Sequence, residues 1–594
     1  MAEPTATISR PQRWDVPFDS KMDAAAVDSV LAIAPFSRID PTNFPKSTPL
    51  RDILLNDTSL RSFRKGEVIV REGDYGNSAF FIIRGSVKVA LGKDAIPATL
   101  LGRRETHKKN FLETLGQLWR NPLHPEVRDT ARYSAARAAS AAARSGDMRS
   151  RLPGGSRPPL ARKDEVKAGA VFLSDIPAVL KGGTVSLGAG LFFGEIAALG
   201  RTPRTASIFA DEPSELLEIR WQGLRELRLR APEIKQFVDT NYRKYSLENH
   251  LRETEYFKDL TPEELKLVAD QTRFETYGGF DWHTDYKKNR DTSPVERMRG
   301  EPVIAEQGQY ANGLILIRAG FARLSQKYNH GERTASYLAR GQMFGFKEIA
   351  HNWRSKDTVS LRYTLRALGY VDVLVVPTHV VEKYVLPKIA AADLPPLIEA
   401  KHEAENLISP LEQLSGKLPT DFVEFLVDHR FINGRATMLI DLERCTRCDD
   451  CVRACAAGHD NNPRFVRHGQ QLGSYMVATA CMHCLDPVCM IGCPTGAISR
   501  DSAGGQVVIN DVTCIGCSTC ANSCPYNNIQ MVEIRDARGE PLLDQEKKPV
   551  TKAAKCDLCL EQPAGPACVR ACPHDALTRL NIRDTDTLAA WLQR

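Results

Sequence analysis

Short apolar runs separated by glycines dominate the first 390 residues. From Phe63 the chain alternates apolar and polar positions in SFRKGEVIVREGD and SAFFIIRGSVKVAL, with turn residues at the ends of each run. A period of two between glycines predicts β-strands in a meander or roll. Strand-like runs resume at VSLGAGLFFGEIAALG, and apolar positions at helical spacing follow over about residues 221–250.

A second, looser copy of this pattern follows in EPVIAEQGQYANGLILIRAGFARLSQ and GQMFGFKEIAH, which indicates an internal repeat. We therefore predict a multidomain α+β protein that contains two β-roll domains carrying helices. In chain order we expect a partly disordered leader over 1–50 with one helix near 24–33, the rolls over 51–250 and 251–390, a helical connector over 391–435 and a last domain over 436–594.

The stretch over about 103–167 interrupts the first roll. It is rich in Lys, Arg, Ala and Ser and ends in RLPGGSRPPLARK, which predicts a flexible basic insertion. Such a run can contact nucleic acid or an acidic partner, but a solvated linker is the commoner case. The net charge of +6 is small for 594 residues, so no nucleic-acid partner is expected.

The chain contains no apolar run of the roughly 18 residues that a bilayer span needs, so no membrane span is expected. The N-terminal stretch MAEPTATISRPQRWDV has no apolar segment and no adjacent arginine pair. It therefore lacks the features of secretory and twin-arginine signals, and we expect a cytoplasmic location.

All 16 cysteines lie in the C-terminal quarter, between Cys445 and Cys572. They form four groups, spaced C-x2-C-x2-C-x3-C, C-x2-C-x4-C-x3-C-P, C-x2-C-x2-C-x3-C-P and C-x2-C-x8-C-x3-C-P. In the reducing cytosol such density favours metal ligands over disulfides. Zinc is the other metal that paired C-x2-C motifs hold. The ferredoxin run favours iron, because three thiolates of one loop hold three irons while the fourth reaches a neighbouring cluster.

The stretch CMHCLDPVCMIGCPTGAISRDSAGGQVVINDVTCIGCSTCANSCPYNNIQM, with the flanking groups, resembles the four-cluster iron-sulfur subunits of the dimethyl-sulfoxide reductase class of molybdoenzymes. The resemblance covers about residues 438–580 and implies a C-terminal tandem ferredoxin-like domain organised around four [4Fe-4S] clusters. These clusters would form a wire between a molybdopterin subunit and another redox partner. The ligand sets that it implies are set I (Cys445, Cys448, Cys451, Cys572), set II (Cys455, Cys556, Cys559, Cys568), set III (Cys481, Cys484, Cys489, Cys524) and set IV (Cys493, Cys514, Cys517, Cys520).

The first roll also carries a candidate anion site. A cyclic phosphate needs backbone amides at a helix N-terminus, a fixed cation and an acceptor for the ribose hydroxyl. FGEIA at 193–197 and PRTAS at 203–207 supply all three and resemble the phosphate-binding cassette of cyclic-nucleotide-binding domains. The resemblance implies a site for cAMP or cGMP at Gly194, Glu195, Ala197, Arg204, Thr205 and Ala206.

In that family the arginine pairs with the phosphate and the glutamate accepts from the ribose 2′-hydroxyl, which implies those roles for Arg204 and Glu195. In the second copy the position of Arg204 falls on Leu361, with Arg362 one place away. Because a shift of one residue turns a side chain in a different direction, we predict that the second roll is degenerate and keeps the fold without the nucleotide-binding arginine.

Together these patterns predict an electron-transfer component of an oxidoreductase that relays single electrons and is not catalytic alone, with a cyclic nucleotide as a regulatory ligand. One alternative is a redox- or nucleotide-sensing regulator, although no helix-turn-helix pattern follows either roll. Another is an enzyme with an open-site cluster, although four complete clusters use all sixteen cysteines.

Overall fold

The structure is a computed structural model, and the residues that it describes are 7–8, 12–90, 96, 124–129, 133, 184–200, 203–245, 247–252, 254–278, 294–328, 331–339, 341–355, 357–398, 418–502, 504–562 and 564–594. The chain folds into two units. The first comprises Met1–Val238 and Asn433–Arg583, and the second comprises Asp239–Ile432 and Asp584–Arg594. Within the described ranges, no helix is both long and apolar enough to cross a membrane.

The first unit begins with a β-roll and the helices packed on it. Its elements are β1 (Thr7–Ile8), α1 (Ala24–Leu31), α2 (Leu50–Asp57), β2 (Thr58–Phe63), β3 (Val68–Val70), β4 (Ser78–Arg84), β5 (Ser86–Ala90), β6 (Thr184–Gly188), β7 (Phe192–Phe193), α3 (Glu195–Gly200), β8 (Ile208–Ala210), β9 (Ser214–Arg220) and α4 (Trp221–Arg230). Two four-stranded antiparallel sheets have the orders β2-β9-β4-β7 and β3-β8-β5-β6. Gly85 makes the tight turn between β4 and β5, where φ is +83° and a Cβ would lie 2.7 Å from the Pro213 carbonyl oxygen.

Aromatic side chains fill the space between the roll and the N-terminal helices. The rings of Phe36 and Phe81 meet edge to face with centroids 5.2 Å apart, and Phe192 lies 5.0 Å from Phe81. Val27 of α1 and Ile53 of α2 are buried in the same core. The helix expected near residues 24–33 is confirmed, and the described residues of the leader contribute to this core.

The helical stretch after the roll is broken into α4, α5 (Pro232–Tyr245) and α6 (Leu247–Arg252). At the first break Ala231 has φ −116° and ψ 95°, which is an extended conformation. Proline restricts the residue before it in this way and lacks the N–H that would continue the helix, so Pro232 accounts for the break.

The second unit contains the second roll. Its elements are α7 (Pro262–Gln271), β10 (Arg273–Tyr277), α8 (Pro294–Arg299), β11 (Val303–Ala305), β12 (Gly313–Ala319), β13 (Phe321–Tyr328), β14 (Gly331–Ala339), β15 (Met343–Phe344), α9 (Phe346–Arg354), β16 (Thr364–Ala367), β17 (Val371–Pro377), α10 (Thr378–Val380) and α11 (Thr420–Asp428). Its sheets have the orders β10-β17-β12-β15 and β11-β16-β13-β14. This is the topology of the first roll, so the predicted internal repeat is confirmed.

The C-terminal part of the first unit is built of short strands and one-turn helices around the cysteines. Its elements are β18 (Thr437–Asp441), α12 (Asp450–Ala457), β19 (Phe465–Leu472), β20 (Tyr475–Ala480), α13 (Val488–Ile491), β21 (Ile498–Arg500), β22 (Val507–Ile509), α14 (Thr519–Ser523), β23 (Gln530–Glu533), β24 (Leu543–Asp544), β25 (Thr551–Ala554), α15 (Ala567–Arg570) and β26 (Leu577–Leu580); α16 (Thr585–Leu592), in the second unit, follows.

One four-stranded sheet, β19-β20-β18-β26, supports this part, and the remaining strands pair two by two as β21-β22, β23-β25 and β1-β24. The cysteines take the place of a large apolar core. Cys451, Cys455 and Cys568 are buried together with Met438 and Ile440. A second buried cluster joins thiols of sets III and IV to Ile498 and Val507. The predicted α+β class with β-rolls and a ferredoxin-like region is confirmed.

Candidate metal centres and nucleotide site

The thiols of set I and those of set IV each line one cavity. The first cavity, of about 340 Å³, is bounded by the four cysteines of set I together with Arg447, Arg467 and His574. The second, of about 320 Å³, is bounded by the four cysteines of set IV together with apolar side chains such as Ile498 and Met531. In both cavities three thiols come from one cysteine motif and one from another.

The thiols of sets II and III lie deeper. Burial raises the pKa of Cys484 well above its usual value, and the neighbouring thiols of Cys481, Cys524 and Cys489 raise it further. Burial likewise raises the pKa of Cys568 to about 11, with Cys556 and Cys455 acting in the same direction. The structure thus brings Cys524 to the second motif and Cys455 to the fourth.

Backbone N–H groups point at the sulfurs of several thiols. The amide of Arg464 donates to Cys455 Sγ at 3.3 Å, that of Asn528 to Cys524 Sγ at 3.4 Å and that of Ala576 to Cys572 Sγ at 3.2 Å. The amides of Ala553, Leu558 and Ala567 make similar contacts with Cys514, Cys556 and Cys559. Such donors stabilise negative charge on sulfur, which is how a protein tunes an iron-sulfur cluster.

Cations surround the same thiols: Arg500, Lys552 and Lys555 are buried, and Arg579 is half-buried. Lys552 donates to the carbonyl oxygen of Cys514, Lys555 to that of Cys556 at 3.0 Å, and Arg500 to that of Cys484. Arg579 donates directly to Cys556 Sγ at 2.9 Å. A buried charge is costly unless it is compensated, so the three buried cations favour negative charge at the thiol sets.

The donor sets fit iron-sulfur clusters. Buried thiols with raised pKa values stay protonated unless a cation binds them, and four thiolates that bind an iron-sulfur core leave a net negative charge for the surrounding lysines and arginines. His459 lies beside set II, with Nδ1 2.8 Å from the Cys455 carbonyl oxygen and Nε2 2.9 Å from Asp557 Oδ1. Because both ring nitrogens are engaged in these hydrogen bonds, His459 serves as a neighbour of the set rather than as a replacement ligand.

The predicted nucleotide residues come together at the start of α3. Arg204 is buried, and its guanidinium donates to the carbonyl oxygens of Gly194 and Ser78, both at 2.6 Å. Burial lowers the pKa of Arg204 to about 10, while Glu218 and Glu195 oppose that shift, so the side chain is charged near neutrality. Glu195 and Ala197 are buried at the same place.

The other two predicted nucleotide residues follow Arg204 along the chain, where Thr205 is exposed and Ala206 is partly buried. Gly194 cannot be replaced without moving Arg204, since a Cβ there would lie 2.3 Å from Arg204 Nη1. The two carbonyl contacts occupy part of the five-donor guanidinium and leave donors for an anion.

Residues 73–77, which we call the coupling loop, were missed by the sequence analysis. Gly73 N–H donates to the Arg204 carbonyl oxygen and Arg204 N–H donates to that of Asp74, both at 2.8 Å. The loop therefore forms a backbone pair with the nucleotide cassette. No motif marks it, because its role depends on partners far away in the chain.

The far side of the coupling loop contacts the β21-β22 hairpin, which lies between Cys493 and Cys514. Tyr75 N–H donates to the Ser502 carbonyl oxygen at 2.9 Å, and Asn77 Nδ2 donates to that of Arg500 at 3.0 Å. The Tyr75 ring lies between two guanidiniums, 5.0 Å from that of Arg500 and 5.2 Å from that of Arg435. One short loop thus contacts both the cassette and the thiol-bearing part.

The described residues of the basic insertion also contact the thiol-bearing part. Glu126 forms ion pairs with Arg128 and Arg464, and Arg128 also pairs with Asp511. The ammonium of Lys552 lies 4.6 Å from the centre of the Tyr133 ring. The remainder of the predicted flexible insertion lies outside the described residues.

The second roll differs from the first at the corresponding positions. Leu361 is buried in the apolar core with Phe344, and Arg362 Nε donates to the carboxylate of Glu348 at 3.2 Å. Phe346 stacks on Tyr256 with ring centroids 4.0 Å apart. In the second roll the guanidinium of Arg362 and the carboxylate of Glu348 therefore pair with each other.

Two family models match the chain. The 4Fe-4S dicluster domain matches residues 472–581, and the cyclic nucleotide-binding domain matches residues 179–230.

Among curated relatives, electron transport protein HydN of Escherichia coli strain K12 is 34% identical over 170 residues, which cover 26% of this chain and 94% of HydN. Hydrogenase-4 component A of the same organism is 34% identical over 161 residues, covering 22% of this chain and 76% of that protein. Among solved structures, the cAMP-bound regulatory domain of Toxoplasma gondii PKA is 12% identical with a TM-score of 0.19, covering 62% of this chain and 94% of that one.

Proposed function

Since the chain belongs to the family of iron-sulfur electron transport proteins that includes HydN, we propose that its C-terminal part relays single electrons through four [4Fe-4S] clusters. The observation that carries this proposal is the grouping of sixteen thiols into four sets of four. Sets I, II, III and IV, as defined above, would each hold one cluster. When bound, each cluster would take up and release one electron.

The side chains around the sets define an order along the relay. Sets I and II share the first and fourth cysteine motifs, and sets III and IV share the second and third. Arg579 contacts both Cys556 of set II and Cys481 of set III, so these two sets are neighbours. The order I, II, III, IV follows.

The exposed thiols lie at the two ends of this order. Cys448 of set I and Cys517 of set IV are the exposed cysteines of the sixteen, whereas every thiol of sets II and III is buried or half-buried. Electrons would therefore enter and leave at sets I and IV, where a partner protein can approach closely.

The partner is a second redox protein. The resemblance to molybdoenzyme subunits supports a molybdopterin oxidoreductase as donor or acceptor, and the relative named hydrogenase-4 component A supports a hydrogenase as the other choice. To separate these two partners, the purified protein is mixed with each candidate enzyme and its reduction is monitored by visible absorbance.

Metal analysis of anaerobically purified protein tests the relay. About sixteen irons and a similar amount of labile sulfide per chain are expected, with interacting paramagnetic signals after dithionite reduction. Zinc with little iron would overturn the proposal and would make the sets structural sites.

A second function is supported by the first roll: binding of cAMP or cGMP at Gly194, Glu195, Ala197, Arg204, Thr205 and Ala206, with an effect on the relay. The buried, charged Arg204 beside Glu195 supports the binding, and the coupling loop supplies a path to the hairpin between Cys493 and Cys514. Calorimetric titration with each nucleotide tests it. Absence of binding by both would leave the roll as a docking module.

A further inference from the structure

Arg579 occupies a distinctive position between two thiol sets. It lies on β26, where it is paired with Met438 of β18, and its side chain reaches away from the strand to three acceptors. Nη2 donates to Cys556 Sγ at 2.9 Å, and Nη1 donates to the carbonyl oxygens of Cys481 at 3.0 Å and Ala436 at 2.9 Å. One planar guanidinium thus contacts set II with one nitrogen and set III with the other.

No cysteine motif is shared between sets II and III, so their connection differs from the connections within each pair. Sets I and II exchange ligands, and sets III and IV do so as well. Across the boundary, the guanidinium joins Cys556 and Cys481 through two hydrogen bonds. The neighbouring cation Lys555 donates to the carbonyl oxygens of Val507 and Cys556, so its contacts with the sets run through backbone rather than sulfur.

The charge of Arg579 acts on both sets. Arginine stays protonated in proteins, and an interaction between charges is much stronger in an enclosed site than in water. A fixed positive charge favours the reduced, more negative state of the cluster that the thiols would hold. Arg579 therefore makes it more favourable for an electron to occupy a cluster at set II or set III than a cluster farther from Arg579.

We propose that Arg579 is a positioning residue for electron transfer between sets II and III, which raises the reduction potentials at both sets and thereby allows the electron to cross between the two ferredoxin-type pairs. This inference rests on the proposed four-cluster relay. One electron leaves one set and arrives at the other, while Arg579 keeps its bonds and its protons, so no further reactant is needed.

Potentiometric titration of the full-length protein, followed by low-temperature paramagnetic resonance, tests the inference. In Arg579→Gln we expect the reduction potentials assigned to sets II and III to fall by at least about 59 mV. For a one-electron step this corresponds to a tenfold change in the equilibrium constant of reduction. The potentials of sets I and IV should stay in place. Arg453→Gln is the matched control, because Arg453 carries the same charge near set I but is exposed and pairs with Asp450.

Iron and sulfide content is measured on every variant. If Arg579→Gln loses iron, Arg579→Met decides, since methionine also removes the charge and keeps an unbranched side chain, and the potentials of sets II and III should again fall. Full iron content with unchanged potentials in the glutamine variant, or in the methionine variant where the former loses iron, would overturn the inference and leave the relay standing. Zinc in the unaltered protein would instead overturn the relay itself.

Discussion

At the residue scale, the position of the last cysteine of each motif decides between two arrangements. Either each motif forms a site of its own, or paired motifs exchange their last cysteine. Cys524 belongs to the third motif by sequence, but its thiol raises the pKa of Cys484 and of Cys489 in the second motif. We expect Cys524→Ala and Cys484→Ala to abolish the same paramagnetic signal and to lower iron content by about a quarter, because a cluster needs its four thiolates.

Cys520→Ala is the control for that experiment, since Cys520 lies in the same motif as Cys524 but lines the cavity of set IV. Its loss should remove a different signal. If Cys520→Ala and Cys524→Ala instead abolish one and the same signal, the third motif forms a site of its own and the exchange is wrong.

Arg204 is the residue on which nucleotide binding should depend most. A charge-assisted hydrogen bond contributes about 1.5–3 kcal/mol, so Arg204→Ala should weaken cAMP or cGMP binding by about 10- to 100-fold in calorimetric titration. Arg362→Ala is the control, because Arg362 of the second roll already pairs with Glu348. Loss of binding in Arg362→Ala with unchanged binding in Arg204→Ala would place the nucleotide in the second roll.

The cysteine motifs and the cassette could be recognised in the sequence because each motif is local, and its spacing expresses the length of a loop or one turn of helix. Arg579 and Tyr75 could not. Neither stands in a motif, and each acquires its role from acceptors in distant segments, as with the Cys481 carbonyl oxygen for Arg579, 98 residues away. Local spacing carries no signal for such contacts.

At the element scale, a buried ion pair connects three segments of the first unit. Arg220 at the end of β9 pairs with Asp57 of α2 and donates to the Thr495 carbonyl oxygen at 2.9 Å. Asp57 is fully buried. Arg13 also lies near Asp57, 3.5 Å from Oδ2, so Arg220→Ala leaves the buried carboxylate with this one longer ion pair. We expect the substitution to destabilise the protein by about 3 kcal/mol, measured as a lower urea midpoint at constant slope.

The exposed pair Arg51–Asp28, with an N–O distance of 2.6 Å, provides the comparison. Solvent screens it, so Arg51→Ala should leave the urea midpoint unchanged within error. Equal effects of the two substitutions would show that burial does not govern the Arg220 pair.

The elements themselves followed from the pattern of apolar residues wherever that pattern is strong. Strands β4 and β12 and helix α1 coincide with predicted runs, whereas the single helix expected over 221–250 is divided because Pro232 overrides helical periodicity. The packing of the β21-β22 hairpin on the coupling loop joins residues 423 positions apart. Periodicity describes one element at a time, so it contains nothing about that pairing.

At the scale of the whole molecule, the coupling loop offers a route by which the proposed nucleotide binding and the reduction of the proposed clusters would be thermodynamically linked. If a nucleotide at Arg204 shifts a reduction potential in set III or IV, then reduction must change the nucleotide affinity by the same factor, because coupling free energies are reciprocal. The path runs from Arg204 through Tyr75 and Asn77 to Arg500, whose side chain holds the Cys484 carbonyl oxygen.

We therefore expect cAMP or cGMP to bind with about 5- to 150-fold different affinities to the oxidised and the dithionite-reduced protein in anaerobic calorimetry. A double variant, Tyr75→Ala with Asn77→Ala, removes the side-chain contacts with the hairpin, keeps the backbone hydrogen bond from residue 75 to Ser502, and leaves Arg204 and Glu195 in place. It should bind nucleotide with one affinity in both redox states. Equal affinities in the unaltered protein would mean that nucleotide binding and reduction are not coupled.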